Sequence, residues 1–149
     1  MTKIALRAAE ESDLPFLRTL RAQTMREHYE HSGVPFDAQM QEARLHYRFD
    51  CAQIVVLDGV DVGLIKVSRD GLPWHLIQIQ LSPVCQGRGF GQVLIRQLLA
   101  DAQAAQAEVE LSVLKANPAQ HLYARLGFRV VGEEAHALTM RYSPPTQSS

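Results

Sequence analysis

The sequence predicts one α/β domain, and three observations support this prediction. The chain has 149 residues, a typical length for a single domain. Segments in which apolar and polar residues alternate, as in strands, are interspersed with segments that have the apolar spacing of helices. Neither an internal repeat nor a Pro-, Gly- or Ser-rich linker divides the chain. We therefore expect one domain over residues 1–143 and a flexible tail over residues 144–149.

The composition is that of an ordinary globular protein. Hydrophobic residues make up 46% of the chain and its net charge is −1, which indicates neither a nucleic-acid partner nor a membrane partner. Cys51 and Cys85 are the only cysteines, and their spacing fits neither a disulfide framework nor a metal site. The opening "MTKIALRAAEESD" lacks the apolar core of a signal peptide. We therefore expect a cytoplasmic protein, and whether it forms a homodimer stays open.

The first third of the chain predicts a strand and two helices. "KIALRA" reads as the strand. Asp13 is suited to cap the first helix, and Pro15 fits its first turn, where the missing N–H does no harm. An apolar face of this helix is formed by Leu14, Leu17, Leu20, Thr24 and Met25. "HSGVP" ends this helix, and Asp37 can cap a second one that runs to about Phe49.

The rest of the chain predicts six strands and two further helices. "QIVVLDG" and "DVGLIKVS" form a hairpin with a turn at Asp58-Gly59, and "WHLIQIQL" is the next strand. A helix follows, with Phe90, Val93, Leu94, Leu98, Ala102 and Ala105 along one stripe. "VELSVL" alternates as a strand. Asn117 and Pro118 begin a short helix that ends at Gly127, and "FRVVGE" and "ALTMRYS" are the last strands.

The most informative stretch is "QGRGFG" at residues 86–91, between a strand and a helix. The N-terminus of a helix exposes unpaired N–H groups and the positive end of the helix dipole. Glycines allow those groups to approach an anion closely, and Arg88 could add positive charge at the rim. This pattern favours a phosphate or pyrophosphate cradle. A tight turn without a ligand is the alternative, because short glycine motifs are weak signals.

Two other nucleotide-binding motifs do not fit this stretch. A P-loop requires Gly-Lys-Ser/Thr after the glycines, whereas Phe90-Gly91-Gln92 follows here. The dinucleotide fingerprint requires G-x-G-x-x-G and an acidic residue at the end of a later strand. Here the glycine spacing is G-x-G-x-G, and the next acidic residues, Asp101 and Glu108, lie in or just after the helix.

The sequence resembles the GCN5-related N-acetyltransferases, the GNAT family. "QGRGFG" matches the family signature Gln/Arg-x-x-Gly-x-Gly/Ala through Gln86, Gly89 and Gly91. "LRAAEESDLPFL" is similar to the opening strand and capped helix of the family, and "IQLSP" to the strand before the signature. "NPAQHLYARLGF" is similar to the second conserved block, with Asn117, Tyr123, Gly127 and Phe128 in place. These blocks occur in family order over about residues 3–143.

The resemblance implies a mixed, mostly antiparallel central sheet that is flanked by helices on both faces and contains a splayed parallel strand pair. It implies acetyl-CoA as co-substrate and no metal. The pyrophosphate would bind between Gln86 and Gly91, and the pantetheine arm would pair with the strand that ends at Leu81. The residues that the resemblance assigns to acetyl-CoA are Ile79, Gln80, Leu81, Gln86, Gly87, Arg88, Gly89, Phe90, Gly91, Asn117 and Tyr123.

Two residues are candidates for catalysis by their position in the family pattern. The Tyr123 hydroxyl would approach the CoA sulfur and could protonate the departing thiolate. The alternative is that Tyr123 only packs in the core. His75 lies where histone-directed members carry a catalytic glutamate, and an imidazole titrates near neutrality. The alternatives to His75 as base are a water relay and an acceptor that is already partly deprotonated.

The resemblance implies transfer of acetyl to a primary amine by direct attack, but the acceptor could be a small molecule, an amino acid or a peptide or protein amine. The segment from His28 to Asp37 is where the family shapes its acceptor pocket, although His28 and His31 themselves are expected to be solvated. The alternative function is a CoA-binding or regulatory module without turnover.

Overall fold

The computed structural model describes residues 3–146, so the last residues of the predicted tail, 147–149, lie outside the described part of the chain. Seven strands and four α-helices are interspersed along this part of the chain. The strands are β1 (Ile4–Ala8), β2 (Ala52–Leu57), β3 (Val60–Ser68), β4 (Trp74–Leu81), β5 (Val109–Leu114), β6 (Arg129–Glu133) and β7 (Ala137–Tyr142). The helices are α1 (Leu14–Ser32), α2 (Ala38–His46), α3 (Phe90–Ala105) and α4 (Ala119–Arg125). No helix within residues 3–146 is long and apolar enough to span a bilayer.

The strands form one mixed sheet in the order β1-β2-β3-β4-β5-β7-β6. Every neighbouring pair is antiparallel except β4 and β5, which are parallel. The two-residue turn between β2 and β3 is the predicted one, with Asp58 and Gly59 at φ 49° and 84°. The predicted fold class is confirmed.

Helices cover both faces of the sheet, as predicted. On one face, α1 and α2 bury a small apolar cluster that consists of Leu17, Leu20, Leu45, Ala52, Ile54 and Leu64. On the other face, α3 and α4 pack on the larger core, in which Leu94, Ile95 and Leu98 of α3 are almost fully buried. Burial of a leucine or isoleucine side chain contributes about 1.5–3 kcal/mol to folding. These two cores fix the sheet as a rigid platform between its helices.

The caps of α1 and α2 differ from each other. Asp37 caps α2 as predicted, because its Oδ2 accepts a hydrogen bond from the Met40 amide at 3.2 Å. Asp13 precedes α1, but its carboxylate accepts from no amide of that helix. It accepts instead from the Glu10 amide at 2.7 Å and from both terminal nitrogens of Arg7 at 2.8 and 2.9 Å. The ion pair with Arg7 therefore replaces the predicted cap.

The end of α2 was also predicted too late. The helix stops at His46, and a 3-10 turn over Phe49–Cys51 follows. Arg48, which lies between them, has a left-handed backbone with φ 48°, and such a residue interrupts a right-handed helix. In contrast, α1 ends at Gly33 as predicted, and the Gly33 amide donates to Glu30 at 3.1 Å.

The parallel strands β4 and β5 separate soon after they meet. They pair only over three positions, Trp74 with Val109, His75 with Glu110 and Leu76 with Leu111. A bulge occurs at this point, because Lys66 of β3 lies opposite Gln78 while the next residue, Val67, lies opposite Leu76. The extra residue, Ile77, increases the local twist and bends β4. The predicted splayed pair is thus present, and its opening lies between the last residues of the two strands.

Candidate functional site

Two grooves meet at the opening between β4 and β5. The smaller one, about 590 Å³, runs from the end of β4 past the glycine-rich turn to α4. The larger one, about 900 Å³, lies between the sheet and the helices α1 and α2. The residues that line both grooves are Met25, Ile79, Gln80, Asn117 and Tyr123. The opening therefore joins two binding spaces through one narrow junction.

The glycine-rich turn forms the wall of the smaller groove. Gly87 and Gly89 have φ +76° and +82°, a left-handed conformation that costs other residues about 1–2 kcal/mol. A side chain at either position would meet no protein atom within 4 Å, so their role is the backbone path. Val93 is the first residue of α3 whose amide bonds to the preceding turn, through Gly89 at 3.1 Å. The Gln86 amide donates to Pro83 at 3.2 Å, but the amides of residues 87–92 have no such partner among the described residues and can face an anion.

The side chains around this turn differ in their position relative to the smaller groove. Gln86 donates from its Nε2 to the Leu81 carbonyl at 3.2 Å, which ties the turn to the end of β4. Arg88 lies over the Phe90 ring at 5.0 Å and is not part of the groove lining. Arg125 of α4, which the sequence analysis did not select, lines the groove. It could have been found, because it follows Tyr123 by two residues in the second conserved block.

The predicted pantetheine-binding strand borders both grooves. Ile79, Gln80 and Leu81 line the smaller groove, and the structure brings them close to the glycine-rich turn. Asn117 approaches them from the opposite side. Its Oδ1 accepts from the Ala119 amide, the first of α4, at 2.9 Å, although Pro118 and not Asn117 occupies the N-cap position; Asn117 also lines the junction.

Tyr123 lies at the junction with its ring in the core. The side chain is 7% exposed, and its ring centroid is 5.7 Å from that of Phe128. The hydroxyl makes no hydrogen bond to any residue within 3–146. Burial raises the pKa of Tyr123 to about 12, so the phenol stays protonated at neutral pH. The protonated hydroxyl at the junction is suited to act as a general acid. The packed ring is equally typical of a core residue.

His75 lies at the other end of β4. Its side chain is exposed and lines the larger groove next to Ser68, its partner across the sheet. It is four residues from Ile79, which corresponds to roughly 13 Å along a strand. A general base acts over a hydrogen-bond distance or through water. From this position His75 could reach an amine at the junction only through a chain of water molecules.

The polar wall of the larger groove was not predicted from the sequence. Arg21 and Arg44 line it from α1 and α2, and Gln78 lines it from β4. Arg21 occupies the buried stripe of α1, since it lies four residues after Leu17 and seven after Leu14. A basic residue on an apolar helix face is the signal that could have identified this wall. His28, expected to be solvated, is half-buried and lines the smaller groove.

No group of three or more His, Cys, Asp or Glu side chains within residues 3–146 is arranged to hold a metal ion. The polar groups at the junction are amides, a phenol and backbone groups. The site has the chemistry to bind an extended, phosphate-bearing molecule in the smaller groove and a second molecule in the larger one.

The sequence matches the family model described as "Acetyltransferase (GNAT) domain" over residues 22–144. The chain belongs to the GNAT acetyltransferase family. The predicted resemblance and the predicted enzyme class, an acyl-CoA-dependent N-acetyltransferase, are confirmed. No curated protein shows significant sequence similarity to this GNAT chain.

Solved structures of other GNAT proteins have the same fold. The PaiA N-acetyltransferase from Thermoplasma acidophilum, in complex with coenzyme A, is 15% identical with a TM-score of 0.73, over 95% of this chain and 99% of that one. The ribosomal-protein-S18-alanine N-acetyltransferase from Escherichia coli is 16% identical with a TM-score of 0.70, over 98% and 97%. A chimera of the Vibrio cholerae spermidine N-acetyltransferase SpeG and hSSAT is 22% identical with a TM-score of 0.65, over 94% and 95%.

Proposed function

We propose that this protein transfers the acetyl group of acetyl-CoA to a primary amine by direct attack, and that residues 1–143 work as one catalytic domain. The observation that carries the proposal is the position of Tyr123 at the junction of the two grooves. A transferase of this kind needs a site for the donor, a separate site for the acceptor and a proton donor where they meet. The smaller groove is assigned to acetyl-CoA and the larger one to the amine.

The smaller groove fits the chemistry of the donor. A pyrophosphate is an anion, and the amides of Gly87, Gly89, Phe90 and Gly91 lie at the positive end of the α3 dipole. Arg125 supplies a positive charge at the same groove. Past the bulge, β4 has no pairing with β5, so its backbone groups at Ile79 and the amide of Leu81 are available to the amide-bearing pantetheine arm.

The reaction requires one bond to form and one to break. The amine nitrogen attacks the thioester carbonyl carbon, and the carbonyl oxygen becomes an oxyanion that a backbone N–H near Ile79 or Gln80 stabilises. The intermediate then collapses with cleavage of the carbon–sulfur bond. The Tyr123 hydroxyl donates its proton to the departing thiolate, and the nitrogen releases one proton that reaches solvent. The tyrosinate is reprotonated from solvent before the next turnover. Amide and free CoA are the products.

The proton that leaves the amine has two routes. His75 is the nearest titratable candidate on β4, but it must act through water because of its separation from Ile79. The other route is direct release to solvent through the open larger groove.

Two free cysteines, Cys51 and Cys85, are compatible with the proposed cytoplasmic location, where thiols stay reduced.

Acceptor-dependent release of CoA thiol tests this function. Purified protein is mixed with acetyl-CoA and a panel of amines, amino acids and peptides, and free thiol is followed over time. Turnover with at least one amine supports the proposal. Calorimetric binding of acetyl-CoA without thiol release for any acceptor would instead identify a CoA-binding module and overturn the enzymatic assignment.

A further inference from the structure

Arg21 is a buried cation whose partners in the described structure are neutral. Its side chain is 4% exposed and lines the larger groove. Its guanidinium donates to the Gln41 amide oxygen and, at 3.2 Å, to the Tyr29 hydroxyl. Its Nη1 makes no hydrogen bond to any residue within 3–146. Burial lowers the pKa of Arg21, but an arginine remains charged in proteins. A buried charge is costly unless an opposite charge compensates it.

The acidic residues of the neighbouring helices do not supply that charge. Glu27 and Glu30 of α1 and Glu42 of α2 all lie outside the groove lining. Glu42 is paired with Arg18 at the outer surface, at 2.6 Å. Arg44 is a second arginine of the same groove wall; it is exposed and forms no ion pair within the described part of the chain. The α1/α2 wall therefore presents positive charge toward the groove.

On the sheet side of the larger groove, two side chains of β4 present hydrogen-bond acceptors that have no donor within residues 3–146. Gln78 and Gln80 are 8% and 7% exposed, and the Oε1 atoms of both are buried with no partner among the described residues. The orientation of Gln78 is fixed, because its Nε2 donates to the Arg44 carbonyl at 3.2 Å. An unpaired buried acceptor is unfavourable, because it has lost its hydrogen bonds to water and gained none in the protein. A ligand that carries N–H donors would relieve this cost.

The opposite wall carries less available charge. Glu110 of β5 is bound by the Arg141 guanidinium, with Nε 3.1 Å from the carboxylate. Glu134 also lines the groove, but it is exposed, and its carboxylate forms no ion pair within the described part of the chain. Arg48, at the rim of the groove, is paired with Asp50 and Asp70. Among the described residues, the buried charge of this groove that lacks an opposite partner is therefore the guanidinium of Arg21, and Arg44 is a second unpaired arginine on the same wall.

We propose that the acceptor is an amine that also carries a carboxylate, in the class of free amino acids. The carboxylate would bind Arg21 and Arg44, and the amine would donate to Gln80, which borders the junction. This inference rests on the proposed acetyl transfer, since it assigns the acceptor of that reaction. Guanidinium groups favour carboxylates because they offer paired donors in one plane.

The test compares acceptors that differ only in the carboxylate. The common L-amino acids, their C-terminal amides and the corresponding decarboxylated amines are assayed for CoA thiol release. We expect at least one amino acid to exceed its amide by about 10-fold or more in kcat/KM, the effect of one charge-assisted hydrogen bond. Intrinsic reactivity works against this result, because the amine of an amino acid amide is less basic and more of it is deprotonated at neutral pH.

Two variants then test whether Arg44 and Arg21 cause the preference for the carboxylate. Arg44→Gln should reduce the acid-to-amide ratio by about 10-fold through a higher KM for the acid. Arg21→Lys should also reduce it, because lysine keeps the charge but loses the paired donors. Arg129→Gln is the matched control, since this exposed arginine lies on β6, outside the groove lining. Melting temperatures identify any variant that loses its fold.

The outcomes separate this inference from the proposed function. If the amides and decarboxylated amines react as well as the amino acids, the carboxylate assignment is wrong while acetyl transfer stands. If no acceptor is turned over, a second measurement still tests the carboxylate site. N-acetyl amino acids and N-acetyl amino acid amides are titrated into the CoA-loaded protein by calorimetry. Preferential binding of the acids that Arg44→Gln removes would support the carboxylate site without catalysis. Equal or absent binding, with no thiol release, would overturn both.

Discussion

Lys66 of β3 donates from its Nζ to the carbonyl oxygen of Tyr47 at 2.7 Å, just beyond the end of α2. The same nitrogen bonds the carbonyls of Arg44 and Leu45 at 3.1 and 3.2 Å. The last carbonyls of a helix have no partner within it, and a cation is favourable at that end. Lys66 is fully buried. It therefore fastens to the sheet the helix that carries Arg44.

Lys66→Met should destabilise the protein by about 2–4 kcal/mol, because three backbone carbonyls lose their donor. The free energy of unfolding in urea measures this loss. Lys115→Met is the control: Lys115 forms a half-exposed pair with Glu133, and such pairs contribute about 0–1 kcal/mol. Equal stability of the Lys66 variant and the wild type would show that water replaces the lysine at these carbonyls.

The same lysine predicts a pH dependence of stability. Burial lowers the pKa of Lys66 to about 8, below its value in the unfolded chain. The unfolded chain therefore binds more protons above pH 8, and this group's contribution to the free energy of unfolding increases from about pH 8 to 10. Cys51 acts in the opposite direction, because burial raises its pKa. The difference between wild type and Lys66→Met isolates the lysine, and it should vary across this range.

Gly89→Asp should abolish acetyl-CoA binding if the glycine-rich turn holds the pyrophosphate. The substitution places a carboxylate where the backbone would meet an anion, and it imposes a left-handed conformation on a non-glycine residue. Isothermal titration calorimetry with acetyl-CoA gives the affinity, and the melting temperature reports folding. We expect affinity to fall by at least about 100-fold, since a charge-assisted contact is exchanged for like-charge repulsion.

Gly33→Asp is the matched control for that substitution. Gly33 also has a left-handed backbone, φ +70°, and space for a side chain, but it lies at the end of α1, outside both grooves. It carries the same conformational cost without the effect on an anion. If both variants bind acetyl-CoA alike, the turn at residues 86–91 is a structural turn and does not form the cradle.

The strands and helices could be predicted almost completely because their signals are local, whereas the mixed sheet and its splayed parallel pair followed from the resemblance to the GNAT family. Glycine and proline positions, the Asp58-Gly59 turn and the apolar spacing of α3 each depend on a few neighbouring residues. The cap at Asp13 failed because its carboxylate has a competing partner in Arg7, and an ion pair between separate segments has no local pattern. The late end predicted for α2 failed similarly, since a buried lysine on β3 completes this helix.

The grooves could be predicted only in part. The glycine motif and the Tyr123 block are contiguous in sequence, so their placement followed from family order. The wall of Arg21, Arg44 and Gln78 combines three elements that only the tertiary structure brings together. The segment from Arg26 to Asp50 carries both charge signs in the sequence, but the structure places its acidic residues outside the groove lining and places Arg44 and Arg48 within it. Composition cannot show that separation.

His75→Gln should lower kcat/KM by less than about 10-fold, because a base that acts through a water chain contributes less than one in direct contact. The pH profile of kcat/KM provides the more specific measurement. If His75 accepts the proton, the acidic limb disappears in the variant; if the limb persists unchanged, the amine loses its proton to solvent. His136→Gln is the control, since this histidine is exposed and lies outside both grooves.

Tyr123→Phe decides whether Tyr123 is the general acid of the reaction or only a core residue. The phenylalanine retains the ring and its contact with Phe128 but removes the only proton that Tyr123 can donate. If the hydroxyl protonates the thiolate, kcat should fall by about 10- to 10⁴-fold while acetyl-CoA affinity stays nearly unchanged, because the interaction strengthens only as charge develops on sulfur. Steady-state kinetics and calorimetry on the same preparation measure both quantities.

Tyr142→Phe is the control for this substitution. The Tyr142 ring lies 5.9 Å from that of Phe128 in the same aromatic cluster, but its hydroxyl is outside both grooves, so this variant should keep full activity. The pH dependence of stability tests separately whether the Tyr123 hydroxyl is buried. Burial raises the pKa of Tyr123 to about 12, so the contribution of this group to the free energy of unfolding decreases as the pH rises from 10 to 12. Tyr123→Phe should remove that decrease. A fully active Tyr123→Phe protein would leave Tyr123 as a core residue and make solvent the acid.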